Sequence, residues 1–179
     1  MTFSGWAQGF PVGLPHDGNA RHALGGVAGN AGLFGSAEDL LIYGRAWLAM
    51  LRGEENGLLT PSLARLAVAD HTSALGPPRG LGWALSQPGL AEPAAAPAPW
   101  ELPFAEPAPW AAISPRSSGE LLSPRSFGHT GFTGTSLWID PEKDLVIVLL
   151  TNYVHGEKKL PLMPVRARLH NAVVADLRL

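Results

Sequence analysis

From residue 135 to 151 the sequence runs Thr-Ser-Leu-Trp-Ile-Asp-Pro-Glu-Lys-Asp-Leu-Val-Ile-Val-Leu-Leu-Thr. Thr135–Ile139 and Leu145–Thr151 are rich in β-branched and aromatic residues, the types that fit a pleated surface. Between them Asp140-Pro141-Glu142-Lys143-Asp144 is a proline-bearing turn, so the pattern predicts an antiparallel hairpin. The second arm, Leu145 to Leu150, shows no polar alternation, so both of its faces should be covered. On the C-terminal side Val165, Leu169, Val173 and Leu177 recur every four residues, and Pro164 suits a first turn. A helix is expected there to pack on the sheet. On the N-terminal side lies Gly128-His129-Thr130-Gly131-Phe132-Thr133-Gly134. Taken alone this is a strand with glycine bends. As the strand that feeds a buried hairpin, it would let a ligand lie against exposed backbone N–H groups.

Farther upstream, Ser36-Ala37-Glu38-Asp39 is a capping box. Leu40, Leu41, Trp47, Leu48 and Leu51 follow and Gly53 closes the segment, which predicts a helix over 37–52. Thr60-Pro61 is a cap followed by proline at the first helical position, predicting a short helix over 61–69. Gly82 to Ser86 is a candidate strand. Three regions result: 1–86 with a glycine loop and helices, a Pro/Ala-rich stretch 87–122, and 123–179 with the His-Thr-Gly strand, hairpin and final helix. Eleven of the 17 prolines lie between Pro77 and Pro124. The stretch also echoes itself, as in Ser114-Pro115-Arg116-Ser117 against Ser123-Pro124-Arg125-Ser126. Each proline removes a donor and disfavours helix before it. Residues 87–122 therefore read as an extended surface insertion with no core of its own. A proline-rich ligand for a partner domain is the competing reading, without a basic anchor to support it.

Composition excludes several functions. There are 179 residues, no cysteine and a formal net charge of −2. Without cysteine there is no disulfide scaffold, no thiolate metal site and no cysteine nucleophile. The mildly acidic balance gives no footprint for nucleic acid. The longest aliphatic run, Leu145 to Leu150, is far too short to span a membrane. Met1-Thr-Phe-Ser-Gly has neither the basic nor the apolar region of an export signal, and the compartment stays open. Glycine (21) and proline (17) are the oddity of the composition.

Two further clusters carry polar or glycine-rich patterns. Gly25-Gly26-Val27-Ala28-Gly29-Asn30-Ala31-Gly32-Leu33-Phe34-Gly35 leads into a capped helix, which could hold an anion. It lacks both the Gly-Lys-Ser/Thr ending and the Gly-x-Gly-x-x-Gly spacing of phosphate loops, so a tight structural loop is the better reading. His16, Asp17, Asn19 and His22 gather polar groups in a glycine-flanked loop. Their spacing is not that of a zinc site, and Asx-type turn bonds account for them.

Residues 123–153 resemble the third motif region of the serine β-lactamase-related hydrolases, a family of class C β-lactamases, penicillin-binding proteins and related esterases. The family motif is Lys-Thr-Gly, with His-Thr-Gly in many esterase-like members, as at His129-Thr130-Gly131. His16-Asp-Gly-Asn-Ala, the Gly25–Phe34 loop, the Ser36-Ala-Glu-Asp-Leu helix start, Leu58-Leu-Thr-Pro-Ser and Gly80-Leu-Gly-Trp83 are similar to preceding family segments, in order. The resemblance implies an α+β fold: antiparallel strands with the C-terminal helix on the sheet, plus part of a helical subdomain. It implies that His129 takes the place of the motif's cation, that Thr130 bonds substrate or the Tyr/Lys network, and that Phe132 N–H, after Gly131, is an oxyanion donor. It implies no cofactor and no metal. The departure is as informative: no serine has lysine three positions on, and Ser62-Leu63-Ala64-Arg65 ends in a residue that stays protonated. Neither Tyr43 nor Tyr153 has asparagine two positions on. The chain thus looks like a C-terminal half, inactive alone, that meets a small ester or amide substrate when an N-terminal half completes it. The alternative is a non-catalytic remnant or a peptide- or glycan-binding module. An incomplete sheet would leave an open edge, with self-association as the expected result.

Overall fold

A computed structural model describes residues 13–86, 115–155 and 162–179. The chain divides into two units, 1–36 and 37–179. In the first, α1 (Gly18–Ala23) occupies the segment expected to be a loop. Asp17 is the reason: its Oδ1 accepts from Ala20 N at 2.7 Å and caps the helix, so the neighbouring glycines do not break it. The glycine run closes on itself through an Ala28–Ala31 bridge. Gly32, at φ 108°, sits where any Cβ would strike the Gly26 carbonyl. That is a structural demand for glycine, with no phosphate needed to explain it.

In the second unit α2 (Ala37–Arg52) spans the predicted range, and α3 (Pro61–Ala67) stops two residues early. Thr60 Oγ1 accepts from Leu63 N at 3.4 Å and caps α3. Four strands form one antiparallel sheet in chain order: β1 (Ala84–Leu85), β2 (Phe127–Thr130), β3 (Ser136–Asp140) and β4 (Leu145–Leu149). Strand β1 is shorter than the expected 82–86 because Gly80–Trp83 is a turn. Leu81 N donates to Ala67 O at 2.7 Å and Gly80 N to Trp83 O at 3.0 Å. The hairpin is as predicted in kind, with Trp138 opposite Ile147 and Asp140 opposite Leu145. Helix α4 (Leu162–Leu177) closes the order. Pro164 lies in its first turn, where no intrahelical partner is lost.

The two sheet faces carry two cores. On one, Phe127, Leu137 and Ile139 pack with Trp47, Leu48 and Met50 of α2 and with Trp83. Trp47, Trp83 and Phe127 meet edge-to-face at centroid distances of 5.1 to 5.8 Å. Gly44 lets α2 settle on β4, since a Cβ there would overlap Val146. On the other face Ala84, Trp138 and Ile147 pack with Leu122 and Val174. Strand β4 is less covered than its sequence suggests: only Ile147 is buried, the rest half-buried. Among the described residues no strand pairs with its outer edge.

The buried face of α4 is Arg166, His170 and Val174. It is one residue on from the predicted stripe, and Val165 and Leu177 are exposed. Most of the Pro/Ala-rich stretch, 87–114, lies outside the described residues. Its end does not behave as an insertion: Ser117, Ser118 and Leu122 are buried. Asn171 Oδ1 of α4 accepts from the N–H groups of Glu120 and Leu121, at 2.9 and 3.1 Å. Among the described residues no helix is long and apolar enough to cross a membrane.

Candidate functional site

Strand β2 ends in the His-Thr-Gly motif, and alternation sends its side chains to opposite faces. His129 is opposite Leu137 and shares the α2 face with Phe127, while Thr130 is opposite Ser136 on the α4 face. Thr130 and Ser136 are buried. His129 remains open to solvent at the strand's end. The crowded protein around its imidazole nevertheless pushes its pKa below the usual 6.5, and the nearby Arg79 guanidinium pushes the same way. A bond with the Thr130 backbone opposes this weakly. Burial and Arg79 both favour the neutral imidazole. His129 offers a hydrogen-bonding imidazole where the resemblance implies a cation, and the positive charge nearby belongs to Arg79.

The five residues after Thr130 form a tight loop. Gly131 N donates to Thr135 O at 2.8 Å, and Gly134 N returns to Gly131 O at 3.0 Å. Gly134, at φ 110°, leaves no room for a Cβ beside Thr151 and Tyr153. Tyr153 N donates to Thr133 O at 2.8 Å and ties the loop to the segment after β4. Arg166 reaches it from α4, its Nη2 donating to Gly131 O at 3.0 Å and Thr135 O at 2.9 Å. Phe132 projects at the tip, 69% exposed.

The four motif residues are thus contiguous on one strand end and its loop, a rigid backbone carrying an exposed imidazole and an exposed tip. Two participants were not singled out from sequence. Arg166 had a legible signal, a cation beside an apolar helical stripe. Arg79, in a proline- and glycine-rich turn, had none. Of the other sequence candidates, Asp17 caps α1, and among the described residues no cluster of His, Asp and Glu could hold a metal ion.

Comparison with known proteins bears on what this arrangement serves. The family model described as Beta-lactamase matches residues 2–172. The chain is 31% identical over 145 residues to a putative D-alanyl-D-alanine carboxypeptidase of Escherichia coli K12, covering 80% of this chain and 27% of that protein. A protein of the same description from Salmonella enteritidis is 32% identical over 151 residues, covering 80% and 28%. The chain therefore spans little more than a quarter of these relatives. A crystal structure of a beta-lactamase from Mycobacterium bovis has a similar fold, with TM-score 0.52 and 20% identity over 80% of this chain and 45% of that one.

Proposed function

The chain belongs to the beta-lactamase family, and from that premise we propose that it supplies one wall of an acyl-transfer hydrolase site. The wall is His129, Thr130, Gly131 and Phe132. In this reading Thr130, buried behind the strand end, hydrogen-bonds substrate or the network around the nucleophile, His129 orients a proton near the reacting carbonyl, and Phe132 N–H stabilises the developing oxyanion. The supporting observation is the motif loop: backbone and Arg166 hold it rigid, while His129 faces solvent. The 179 residues hold no Ser-x-x-Lys. The nucleophile and its base must therefore come from a further polypeptide or another part of a longer protein, because an acyl-enzyme cannot form without them. The substrate class is an ester, amide or β-lactam. The relatives' printed description makes a D-alanyl-D-alanine peptide the first one to try.

A chimera tests this directly: the matching region of the E. coli relative is replaced by this chain. The expected result is hydrolysis that His129→Ala lowers about 10²–10⁴-fold, the usual range for a proton-transfer group. A folded chimera without turnover, or one indifferent to His129→Ala, refutes the reading. The missing nucleophile favours one alternative, a binding module that holds a peptide or glycan without chemistry. Saturable binding of a D-alanyl-D-alanine peptide to the chain, with no turnover in the chimera, would select it.

Among the described residues β4 has no strand on its outer edge, which supports self-association of the chain. Leu145-Val146-Ile147-Val148-Leu149 reads the same in both directions. A second copy running antiparallel about Ile147 sets every residue opposite its own kind, with no charge buried between strands.

A further inference from the structure

Arg166 is 4% exposed, and among the described residues none of its hydrogen-bond partners is an acid. Burial pushes its pKa down from the usual guanidinium value, yet an arginine stays protonated at neutral pH. Among the described residues it donates to the carbonyls of Gly131 and Thr135 and, from Nη1, to Met163 Sδ at 3.6 Å, while Nε has no partner. A buried cation held by carbonyl dipoles is a costly way to fill a core position. Peptide geometry shows what it accomplishes. The 131–132 peptide is trans, so its C=O and N–H point in opposite directions. The Gly131 oxygen is engaged twice, by Gly134 N and by Arg166 Nη2, which uses both lone pairs. With the carbonyl fixed toward α4, the Phe132 N–H is fixed away from it. A cation on the carbonyl end also polarises the peptide and strengthens its N–H as a donor.

We propose that Arg166 is a positioning residue for the oxyanion donor: by holding the Gly131 carbonyl it aims and polarises the Phe132 N–H. This rests on the assignment of Phe132 N–H as that donor. The experiment separates the two claims. In the ¹⁵N-labelled chain, Arg166→Met keeps bulk and removes the donors. Hydrogen-exchange protection of the Gly134 amide should fall about tenfold or more, and the Phe132 amide resonance should shift, with Trp138 and Ile139 unchanged. Arg166→Lys, one compact donor in place of a fork, should restore part of both effects and serves if the Met variant does not fold. Unchanged Phe132 and Gly134 signals in both variants overturn the proposal. So does an equal loss of protection across the sheet, which would make Arg166 merely structural. In the chimera, Arg166→Lys should lower kcat with KM nearly constant. An inactive parent chimera would overturn the oxyanion assignment and leave the amide measurements to judge the clamp.

Discussion

Asp140 closes β3 with a carboxylate that has no exposed surface. Oδ1 accepts from Ser123 Oγ at 2.7 Å, Glu142 N at 3.0 Å and Lys143 N at 3.2 Å, and Oδ2 accepts from Ser123 N at 2.7 Å. One side chain therefore shapes the hairpin turn and pins the segment that enters β2. In Asp140→Asn the amide oxygen takes the Oδ1 position, where three donors converge. Its NH₂ then confronts the Ser123 N–H, donor against donor. A hydrogen bond to a charged group contributes about 1.5–3 kcal/mol, so losing one and weakening three should destabilise by about 2–4 kcal/mol. For a chain of this size that is a fall in Tm of about 5–12 °C. Ser123→Ala removes only the hydroxyl bond and should cost about 1 kcal/mol. The two changes share partners, so the double mutant should fall short of their sum by at least about 0.5 kcal/mol. Urea unfolding followed by tryptophan fluorescence reads all four proteins, since Trp138 lies two residues from Asp140. Asp140→Asn within about 0.5 kcal/mol of wild type, the range of a neutral surface change, would refute this account of the turn.

His170 should make the fold acid-sensitive. It is fully buried against Trp138, with ring centroids 6.4 Å apart, and neither ring nitrogen meets hydrogen-bond geometry. Burial depresses its pKa, the Ser117 and Ser118 backbone opposes this, and Arg166 adds to the depression. The unfolded chain then binds more protons below about pH 6.5, so stability falls as pH drops through that value. His170→Leu should flatten the dependence of Tm on pH between 7 and 5, with His129 leaving a residue of the same sign; an unchanged slope would exclude His170 as the cause. For self-association, light scattering at high concentration should give a dimer. Leu149→Lys, which sets a cation opposite Leu145 of the second copy, should dissociate it. A monomeric wild type contradicts the pairing, and a dimer indifferent to Leu149→Lys contradicts the β4 route.

Much of this fold is legible in the sequence because its signals are local. Ser36 to Gly53 carries its own start, stripe and stop, and α2 falls on the predicted residues. The hairpin announces itself through composition and a proline turn. The failures come where one side chain overrides the pattern around it or serves a distant segment. Asp17 overrides its glycine surroundings by capping α1. Helix α4 turns by one residue because Arg166 and His170, polar by any scale, occupy the centre of its buried face. The apolar residues read as the stripe flank that centre. Asp140 was visible as a turn residue, but nothing in the sequence ties it to Ser123, 17 residues earlier. At the candidate site the order of motif residues was legible. The charge state of His129 was not, since it depends on burial and on Arg79, 50 positions away in the chain.

Ser86 Oγ and Ser118 Oγ lie 2.9 Å apart, and both residues are buried. Ser86 N also donates to Ser126 O at 2.9 Å. The chain thus departs from the sheet and returns to it at nearly the same point, through a latch of two hydroxyls. Between the two serines runs a stretch of 31 residues. Doubling its length adds only about 0.6 kcal/mol of closure entropy, and the register of β1 on β2 is fixed outside it. A change in the length of that stretch should therefore leave the pairing of Ala84 with Gly128 and of Leu85 with Phe127 in place.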